Sequence, residues 1–216
     1  MPTREQTLDG LTTSGVVAII RAQSDGQLVD IAKALLEGGV SAIEVTMTTP
    51  NALRAIEKLS STFAGQILAG VGTVLDAATC AAAIHAGAQF VVSPTLNLAV
   101  VETTRTLGKV SIPGAYTPTE ILAAWQAGAD IVKVFPATAL GPQFFRDIWA
   151  PMPFLKLTPT GGVDPKSAPE FIKAGAVAVG AGSSLVSKAA MDSGDFKTIT
   201  ATARQFIAAI QAARAK

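Results

Sequence analysis

The sequence predicts a parallel α/β protein, a single (β/α)8 barrel of the TIM type formed by residues 1–216. Three observations support this fold class. Glycines recur at matching positions, 41–48 residues apart, each after a helix-like segment and before an apolar one: Gly39, Gly87, Gly128 and Gly175. This spacing fits two strand–helix units, and a further apolar segment lies midway in each interval. Glycine is typical of helix ends, where the backbone turns left-handed.

Eight apolar segments account for eight strands, because strands buried on both faces are apolar almost throughout. They are VVAIIR (16–21), SAIEV (41–45), ILAGVGTV (67–74), QFVVS (89–93), VSIPG (110–114), DIVKV (130–134), LKLTPTG (155–161) and VAVGA (177–181). Helices are predicted at 25–38, 50–62, 76–87, 97–107, 117–128, 144–149, 165–175 and 195–213, with starts marked by Thr49-Pro50, Asp76, Thr117-Pro118 and Asp164-Pro165. A long doubly wound sheet is the alternative, but the regular period and the absence of an early GxGxxG favour the barrel.

Composition excludes several function classes. The net charge of +1 provides no basic surface for nucleic acid and no polybasic patch for a membrane. The first residues lack the apolar core of a signal peptide, so we expect a soluble, cytoplasmic protein. One cysteine and one histidine argue against internal disulfides and against a metal site. With 49% hydrophobic and 15% charged residues, part of the surface is expected to be covered by a neighbouring subunit.

Three charged residues lie within or at the end of apolar strands: Arg21, Glu44 and Lys133. Glu44 and Lys133 each follow a repeat glycine by five positions, on the second and sixth strands. Side-chain alternation points both into the barrel, and alternate strands contribute to the same interior layer. The sequence therefore predicts an acid and an amine that face each other near the carboxyl ends of their strands.

This pair suits covalent catalysis. A lysine in an apolar pocket has a lowered pKa, so its free amine can attack a carbonyl, and a nearby carboxylate can move the protons. Arg21 shares the inward parity of Val17 and Ile19 and is a candidate for binding a substrate carboxylate. The alternatives are a buried structural salt bridge for the pair and a surface-loop position for Arg21.

Glycine-rich loops follow the seventh and eighth strands, as TGGV after residue 159 and GAGSS from residue 180. Loops at these two positions of barrel enzymes often bind phosphate through backbone N–H groups. Their glycines allow close approach of the backbone, and Ser183 adds a hydroxyl donor. A phosphorylated small-molecule substrate is therefore predicted.

These motifs together resemble the KDPG/KHG aldolase family, which cleaves 2-keto-3-deoxy-6-phosphogluconate or 4-hydroxy-2-oxoglutarate. The resemblance covers nearly the whole chain. It is carried, in order, by VAIIR (17–21), IEVT (43–46), GVGTV (70–74), SP (93–94), PG (113–114), KVFP (133–136), GPQF (141–144), PTGGV (159–163) and GAGSS (180–184).

The resemblance implies a class I aldolase that releases pyruvate and D-glyceraldehyde 3-phosphate, uses no metal or other cofactor, and forms a homotrimer. It implies that Lys133 forms the Schiff base and that Glu44 is the general acid/base. It further implies contacts to the pyruvate half or its carboxylate from Arg21, Thr73, Pro94 and Phe135, and to the rest of the substrate and its phosphate from Thr160, Gly161, Gly162, Gly182 and Ser183.

One departure concerns the carboxylate. Many members carry an arginine where this chain has Thr48, whereas others have threonine there and use an arginine at the end of the first strand, a pattern that Arg21 fits. Thr160 resembles the gluconate-type enzymes. Galactonate-type or hydroxyoxoglutarate cleavage, a phosphosugar isomerase or epimerase, and a non-catalytic phosphometabolite-binding barrel are the alternatives.

Overall fold

The computed structural model describes residues 2–22 and 24–215. The strands are β1 Val16–Ile20, β2 Ala42–Thr46, β3 Leu68–Gly72, β4 Phe90–Val92, β5 Val110–Ile112, β6 Gly114–Ala115, β7 Val132–Val134, β8 Leu157–Pro159 and β9 Val179–Ala181. The helices are α1 Arg4–Ser14, α2 Asp25–Glu37, α3 Ala52–Thr62, α4 Ala77–His85, α5 Leu98–Thr106, α6 Pro118–Gln126, α7 Gly141–Trp149, α8 Ala168–Lys173, α9 Lys188–Ser193 and α10 Phe196–Arg214. None of the helices in the described part of the chain is long and apolar enough to cross a membrane.

All strand pairs are parallel, and they form a curled six-stranded sheet in the order β5-β4-β3-β2-β1-β9 and a three-stranded sheet in the order β6-β7-β8. The parallel α/β prediction is thus confirmed. The predicted fifth strand is divided at Pro113, which has no N–H to donate to a ladder. Its carbonyl still accepts a hydrogen bond of 2.9 Å from the backbone N–H of Lys133. Isolated parallel bridges pair Leu157 with Ala176 and Thr160 with Gly180.

Among the described residues, buried hydrophobic side chains form two clusters, one on each face of the strands. Ile43 and Val45 of β2 belong to the cluster that packs against the helices, whereas Ala42 belongs to the cluster inside the curl of the sheets. Likewise Val132 lies on the helix side, and Ile131, just before β7, lies inside. The inward and outward directions predicted from alternation are therefore confirmed for both strands that carry the charged pair.

Helix α1 was absent from the sequence prediction because its apolar face is weak. Its start is fixed by a capping box, in which the Thr3 hydroxyl accepts from the Gln6 N–H and the Gln6 side chain accepts from the Thr3 N–H. Leu11 is fully buried in the interior cluster, and Arg4 forms a 2.7 Å ion pair with Asp130. These contacts hold α1 across the amino ends of the strands. The short helix α9 was also not predicted.

Two of the four helix starts predicted from capping residues were wrong, and α7 begins at Gly141, three residues before its predicted start. Helix α3 begins at Ala52 after Asn51, whose left-handed backbone (φ 54°) starts the helix without a side-chain cap, so Thr49-Pro50 is not its start. Asp164 instead organises a turn, accepting from the Ser167 N–H at 2.7 Å, and α8 begins only at Ala168. The repeat glycines were predicted correctly, because all four have positive φ values between 90° and 112°: Gly39, Gly87, Gly128 and Gly175.

The close contact between α2 and α10 leaves no room for a side chain at Gly38. A Cβ there would lie 2.3 Å from the Cβ of Ala203 and 2.9 Å from the carbonyl oxygen of Thr200. We expect Gly38→Ala to lower the free energy of unfolding by about 1–3 kcal/mol, because the helices must move apart. Urea denaturation measures the change.

Gly26→Ala is the matched control, since a Cβ at this exposed position of α2 meets nothing within 4 Å. Alanine is the better helix former, so this variant should be as stable as the wild type or slightly more stable. Equal stability of the two variants would contradict the predicted steric conflict.

Candidate active site

Glu44 on β2 and Lys133 on β7 are brought together inside the curl of the sheets. Their exposed fractions are 3% and 6%, and both line one interior cavity of about 10 Å³. No direct ion pair joins the two in the part of the chain that the structure describes. The remaining lining residues are Val17, Val92, Ile112, Thr158, Thr160 and Gly180. A small space lined by an acid, an amine and mainly apolar walls therefore lies between strands that are distant in sequence.

The Glu44 side chain fits because its neighbour on β3 has no side chain. Gly72 is paired in register with Thr46, two residues beyond Glu44, and a Cβ on Gly72 would lie 1.8 Å from Oε1 of Glu44. Any larger residue would have to displace the carboxylate. The GVG segment of β3 is thus a steric requirement of the site.

Burial dominates the electrostatics of the pair. Desolvation raises the pKa of Glu44, while the nearby positive charges of Lys133 and Arg21 act in the opposite direction. Desolvation likewise lowers the pKa of Lys133; Glu44 opposes this shift and Arg21 adds to it. Both shifts favour the neutral forms, so the amine keeps its lone pair at a lower pH than an exposed lysine would.

The ammonium position of Lys133 is bordered by an aromatic ring and by two small neighbours. Its Nζ lies 4.7 Å from the ring centroid of Phe135, two residues along the chain. In the ladders on either side, Lys133 pairs with Gly114 of β6 and Thr158 of β8. The Thr158 hydroxyl donates to the Ala178 carbonyl at 2.9 Å and so is already occupied.

A larger cavity of about 360 Å³ adjoins the smaller one, since Thr160 and Gly180 line both. It gathers most of the residues predicted to contact substrate: Arg21, Phe135, Thr160, Gly161, Gly162, Gly182 and Ser183. Arg21 is exposed, but it lines this cavity together with Ile19, and Val17 lines the smaller one. The predicted inward parity of Val17, Ile19 and Arg21 is therefore confirmed.

The two glycine loops present free backbone donors to this cavity. Gly161 and Gly162 have φ values of 96° and 72°, a conformation that residues with a Cβ rarely adopt. Within the described residues, the backbone N–H groups of Gly161, Gly162 and Ser183 donate to no protein acceptor. The loops are tied together by Ser184, whose hydroxyl donates to the Val163 carbonyl at 2.5 Å. Such a group of unpaired N–H donors can bind an anion.

Two of the predicted contact residues line neither cavity. Thr73 follows β3 with a φ of 59°, which is rare for a residue with a branched side chain. Pro94 follows β4, and its carbonyl oxygen would lie 2.3 Å from a Cβ on Gly114. Both are half-buried after the carboxyl ends of their strands.

Five lining residues of the larger cavity were not among the predicted substrate contacts: Ile19, Val163, Asp164, Gly180 and Ser184. Asp164 directly follows the TGGV motif, and Ser184 is the last residue of the GAGSS motif, so both are sequence neighbours of predicted contact residues. Two backbone N–H groups hydrogen-bond to the Asp164 carboxylate and hold its pKa below the usual value, which keeps it ionised. Among the described residues, no group of three or more His, Cys, Asp or Glu side chains could hold a metal ion.

Comparison with known proteins gives consistent relatives. A sequence model of the family described as "KDPG and KHG aldolase" matches residues 8–202. The chain is 36% identical over 183 residues to the "Probable 2-dehydro-3-deoxy-6-phosphogalactonate aldolase" of Rhizobium meliloti (strain 1021), covering 84% of this chain and 86% of the relative. It is 35% identical over 199 residues to the "KHG/KDPG aldolase" of Escherichia coli (strain K12), covering 91% and 92% of the two chains.

A solved structure agrees with this result. The crystal structure of KDPG aldolase from Legionella pneumophila, with pyruvate captured at low pH as a covalent carbinolamine intermediate, superposes with a TM-score of 0.86 at 29% identity. The match covers 92% of this chain and 97% of that one. The order of the motifs, the paired acid and amine between parallel strands, and these matches lead to one conclusion: the chain belongs to the KDPG and KHG aldolase family.

Proposed function

We propose that the protein is a class I aldolase that cleaves 2-keto-3-deoxy-6-phosphogluconate to pyruvate and D-glyceraldehyde 3-phosphate. The observation that carries this proposal is the shared burial of Glu44 and Lys133 in one small cavity, next to a larger cavity with unpaired backbone donors. An isomerase or epimerase needs an acid and a base but no buried amine with a lowered pKa.

We further infer that the two sheets form one closed (β/α)8 barrel. The bridges Leu157–Ala176 and Thr160–Gly180 connect β8 with the segment containing β9, which closes one junction. At the other junction, β5 and β6 are separated only by Pro113, so they count as one broken strand. The nine strand segments of the described residues thereby correspond to eight barrel strands.

The proposed reaction begins at Lys133. Its neutral Nζ attacks the C2 carbonyl of the substrate to form a carbinolamine. Neutral Glu44 then protonates the carbinolamine hydroxyl, which leaves as water, so that an iminium and the Glu44 carboxylate remain. Desolvation of Lys133 raises the fraction of neutral amine near neutral pH. The mechanism uses no metal and no other cofactor, because the iminium itself accepts the electron pair released in the next step.

Glu44 moves the protons in this proposal. As carboxylate it removes the proton of the C4 hydroxyl, the C3–C4 bond breaks, and its electrons pass to the iminium nitrogen to form an enamine. D-Glyceraldehyde 3-phosphate leaves with the new C4 carbonyl. Protonation of C3 by Glu44 and hydrolysis of the iminium then release pyruvate and regenerate the amine of Lys133.

The remaining contacts position the substrate. We propose that Arg21 binds the carboxylate and that the free N–H groups of Gly161, Gly162 and Ser183 bind the phosphate, as helix and loop N–H groups do elsewhere. The roles of Thr73, Pro94, Phe135, Thr160 and Gly182 in the substrate pocket are likewise proposals. One substrate molecule can extend through both cavities, because they adjoin at Thr160 and Gly180.

The galactonate epimer of the substrate is a second candidate, because a relative named for it shares 36% identity with this chain. We propose that Thr160, which lines both cavities, contacts the C4 hydroxyl and favours the gluconate. The ratio of kcat/KM for the two epimers distinguishes these candidates. 4-Hydroxy-2-oxoglutarate, which lacks a phosphate, would leave the N–H donors unused.

We also propose that the enzyme acts as a homotrimer in the cytoplasm. Large apolar side chains remain exposed near the carboxyl ends of β3, β4 and β6, with exposed fractions of 58% for Leu75, 62% for Leu98 and 41% for Tyr116. Exposed apolar residues at this end of the strands favour coverage by another subunit.

The covalent step predicts an adduct. Incubation with pyruvate and sodium borohydride should add the mass of a reduced pyruvate adduct, located on Lys133 by peptide mapping. Lys133→Ala should show no adduct and no cleavage. The control is Lys33→Ala, at an exposed lysine of α2, which should react like the wild type. Trapping on another lysine, or turnover by Lys133→Ala, would refute the proposed nucleophile.

The proton-transfer step predicts a loss of kcat by about 100- to 10,000-fold in Glu44→Gln, with adduct formation partly retained. Gly72→Ala should also lower kcat, because a Cβ at that position displaces the Glu44 carboxylate. Steady-state kinetics of pyruvate release measure both effects, with Gly26→Ala as the control. Wild-type kcat in Gly72→Ala would mean that the position of the carboxylate is not critical.

Burial of Lys133 predicts a pH-dependent stability. To isolate the lysine, we compare Glu44→Gln with Glu44→Gln/Lys133→Met. The unfolded lysine is protonated below its usual pKa of 10.5, whereas the folded one releases its proton at lower pH. As the pH falls through this window, the lysine-containing variant should lose stability relative to the methionine variant. Urea denaturation of both variants at pH 7 and pH 10 tests this expectation. If the difference in stability between the two variants were the same at both pH values, burial would not shift the pKa of Lys133.

A further inference from the structure

Gly180 of β9 lines both the small cavity that contains Glu44 and Lys133 and the larger cavity beside it. It pairs in register with Val17 of β1 and forms an isolated parallel bridge with Thr160, just after β8. Its φ value is not in the left-handed region, unlike that of many glycines in this chain. The backbone conformation by itself therefore does not require glycine at this position.

The space beside Gly180 is occupied by the side chain of Thr160. A Cβ on Gly180 would lie 2.4 Å from Oγ1 of Thr160, far inside van der Waals contact. The next nearest atoms are Cδ1 of Ile19 at 3.3 Å and the carbonyl oxygen of Pro159 at 3.4 Å, which a small movement of the Ile19 side chain would accommodate. The Thr160 hydroxyl is thus the group that excludes a side chain from position 180.

This hydroxyl is free to bind a ligand. Two residues earlier on the same face, the Thr158 hydroxyl donates to the Ala178 carbonyl at 2.9 Å. Thr160 is 8% exposed, and its hydroxyl has no hydrogen-bond partner among the described residues. Its Oγ1 is not one of the completely enclosed polar atoms, and the residue lines both cavities. A substrate hydroxyl in the cavities can therefore reach it.

The backbone of Thr160 is held in place on the side of β7. Its N–H donates to the Val134 carbonyl at 3.1 Å, and its carbonyl accepts from the Ala137 N–H at 2.8 Å. A Cβ at position 180 would therefore be accommodated by rotation about χ1 of Thr160. The three staggered positions on the threonine Cβ hold a hydroxyl, a methyl group and a hydrogen. Only the hydrogen is small enough to face a new side chain, so the hydroxyl would turn away.

We propose that Gly180 is a positioning residue for the Thr160 hydroxyl and thereby sets the preference between the two C4 epimers of the substrate. This inference rests on the proposed function, in which Thr160 contacts the C4 hydroxyl. A hydroxyl at a fixed position forms its best hydrogen bond with one C4 configuration, and the other configuration leaves polar groups unpaired. Glycine at position 180 leaves the space in which that hydroxyl lies.

The test is the ratio of kcat/KM for the gluconate epimer to kcat/KM for the galactonate epimer. Gly180→Ala should lower this ratio by about 5- to 10-fold, which is the factor that one well-placed hydrogen bond contributes. Thr160→Ala should lower it by a similar factor, whereas Thr160→Ser keeps the hydroxyl and should retain most of the ratio. The control is Gly26→Ala, where the added Cβ meets nothing within 4 Å and the ratio should stay unchanged.

A double variant separates positioning from a general structural effect. In Thr160→Ala the conflicting Oγ1 is absent, so adding Gly180→Ala should change the ratio by less than about 2-fold. Gly180→Ala alone should lower the Tm by about 2–10 °C, and adding Thr160→Ala should recover most of this loss. The stability measurement tests the contact even if the single variant loses activity.

A wild-type ratio in Gly180→Ala would overturn the inference and leave the proposed aldolase activity intact. An equal loss of the ratio when Gly180→Ala is added to Thr160→Ala would also overturn it, because the effect would not pass through the hydroxyl. A Gly180→Ala protein that does not fold, with no recovery in the double variant, would contradict it as well. Failure of the wild-type chain to cleave either epimer would instead refute the proposed function, and the epimer preference with it.

Discussion

The burial of two ionisable groups between parallel strands is the constraint on which the rest of the site depends. Glu44 and Lys133 are almost completely excluded from water, and desolvation moves their pKa values toward each other. Neutral forms are thereby favoured for both. Such an arrangement contributes little to stability compared with apolar packing, so its chemical consequence is an amine that is reactive at a pH where exposed lysines are protonated.

The surrounding strands are adapted to this pair. Gly72 leaves room for the Glu44 carboxylate, and Gly70, two residues earlier, lies against the ring of Phe90. On the other side of the interior, Lys133 has only Gly114 and Thr158 as ladder neighbours. Small residues thus lie beside Glu44 and Lys133, whereas larger apolar residues fill the rest of the interior. The interior is divided in this way into a reactive half and an apolar half. Leu11 of α1 completes the apolar half from the amino ends of the strands.

The glycine loops contribute backbone N–H donors to the site. Their backbone N–H groups are left without protein partners, which is costly unless an anion or water completes them. Ser184 fixes one loop to the other, because its hydroxyl donates to the Val163 carbonyl.

Sequence alone determined the elements whose physical cause is local or periodic. Glycine at helix ends, near-continuous apolar strands and the alternation of side chains gave the parallel α/β fold and the inward direction of Glu44 and Lys133. The glycine motifs gave most of the lining of the larger cavity. The failures have equally local causes: α1 has little amphipathic pattern, and Asn51 starts α3 with a backbone conformation that composition does not reveal.

Only the tertiary structure decided which distant residues meet. It placed Arg21, Phe135 and both glycine loops around one cavity, left Thr73 and Pro94 outside it, and paired Gly72 with the Glu44 carboxylate. Periodicity states which way a side chain points. The distances and desolvation between side chains depend on strand register and curvature, which are set by packing across the whole molecule.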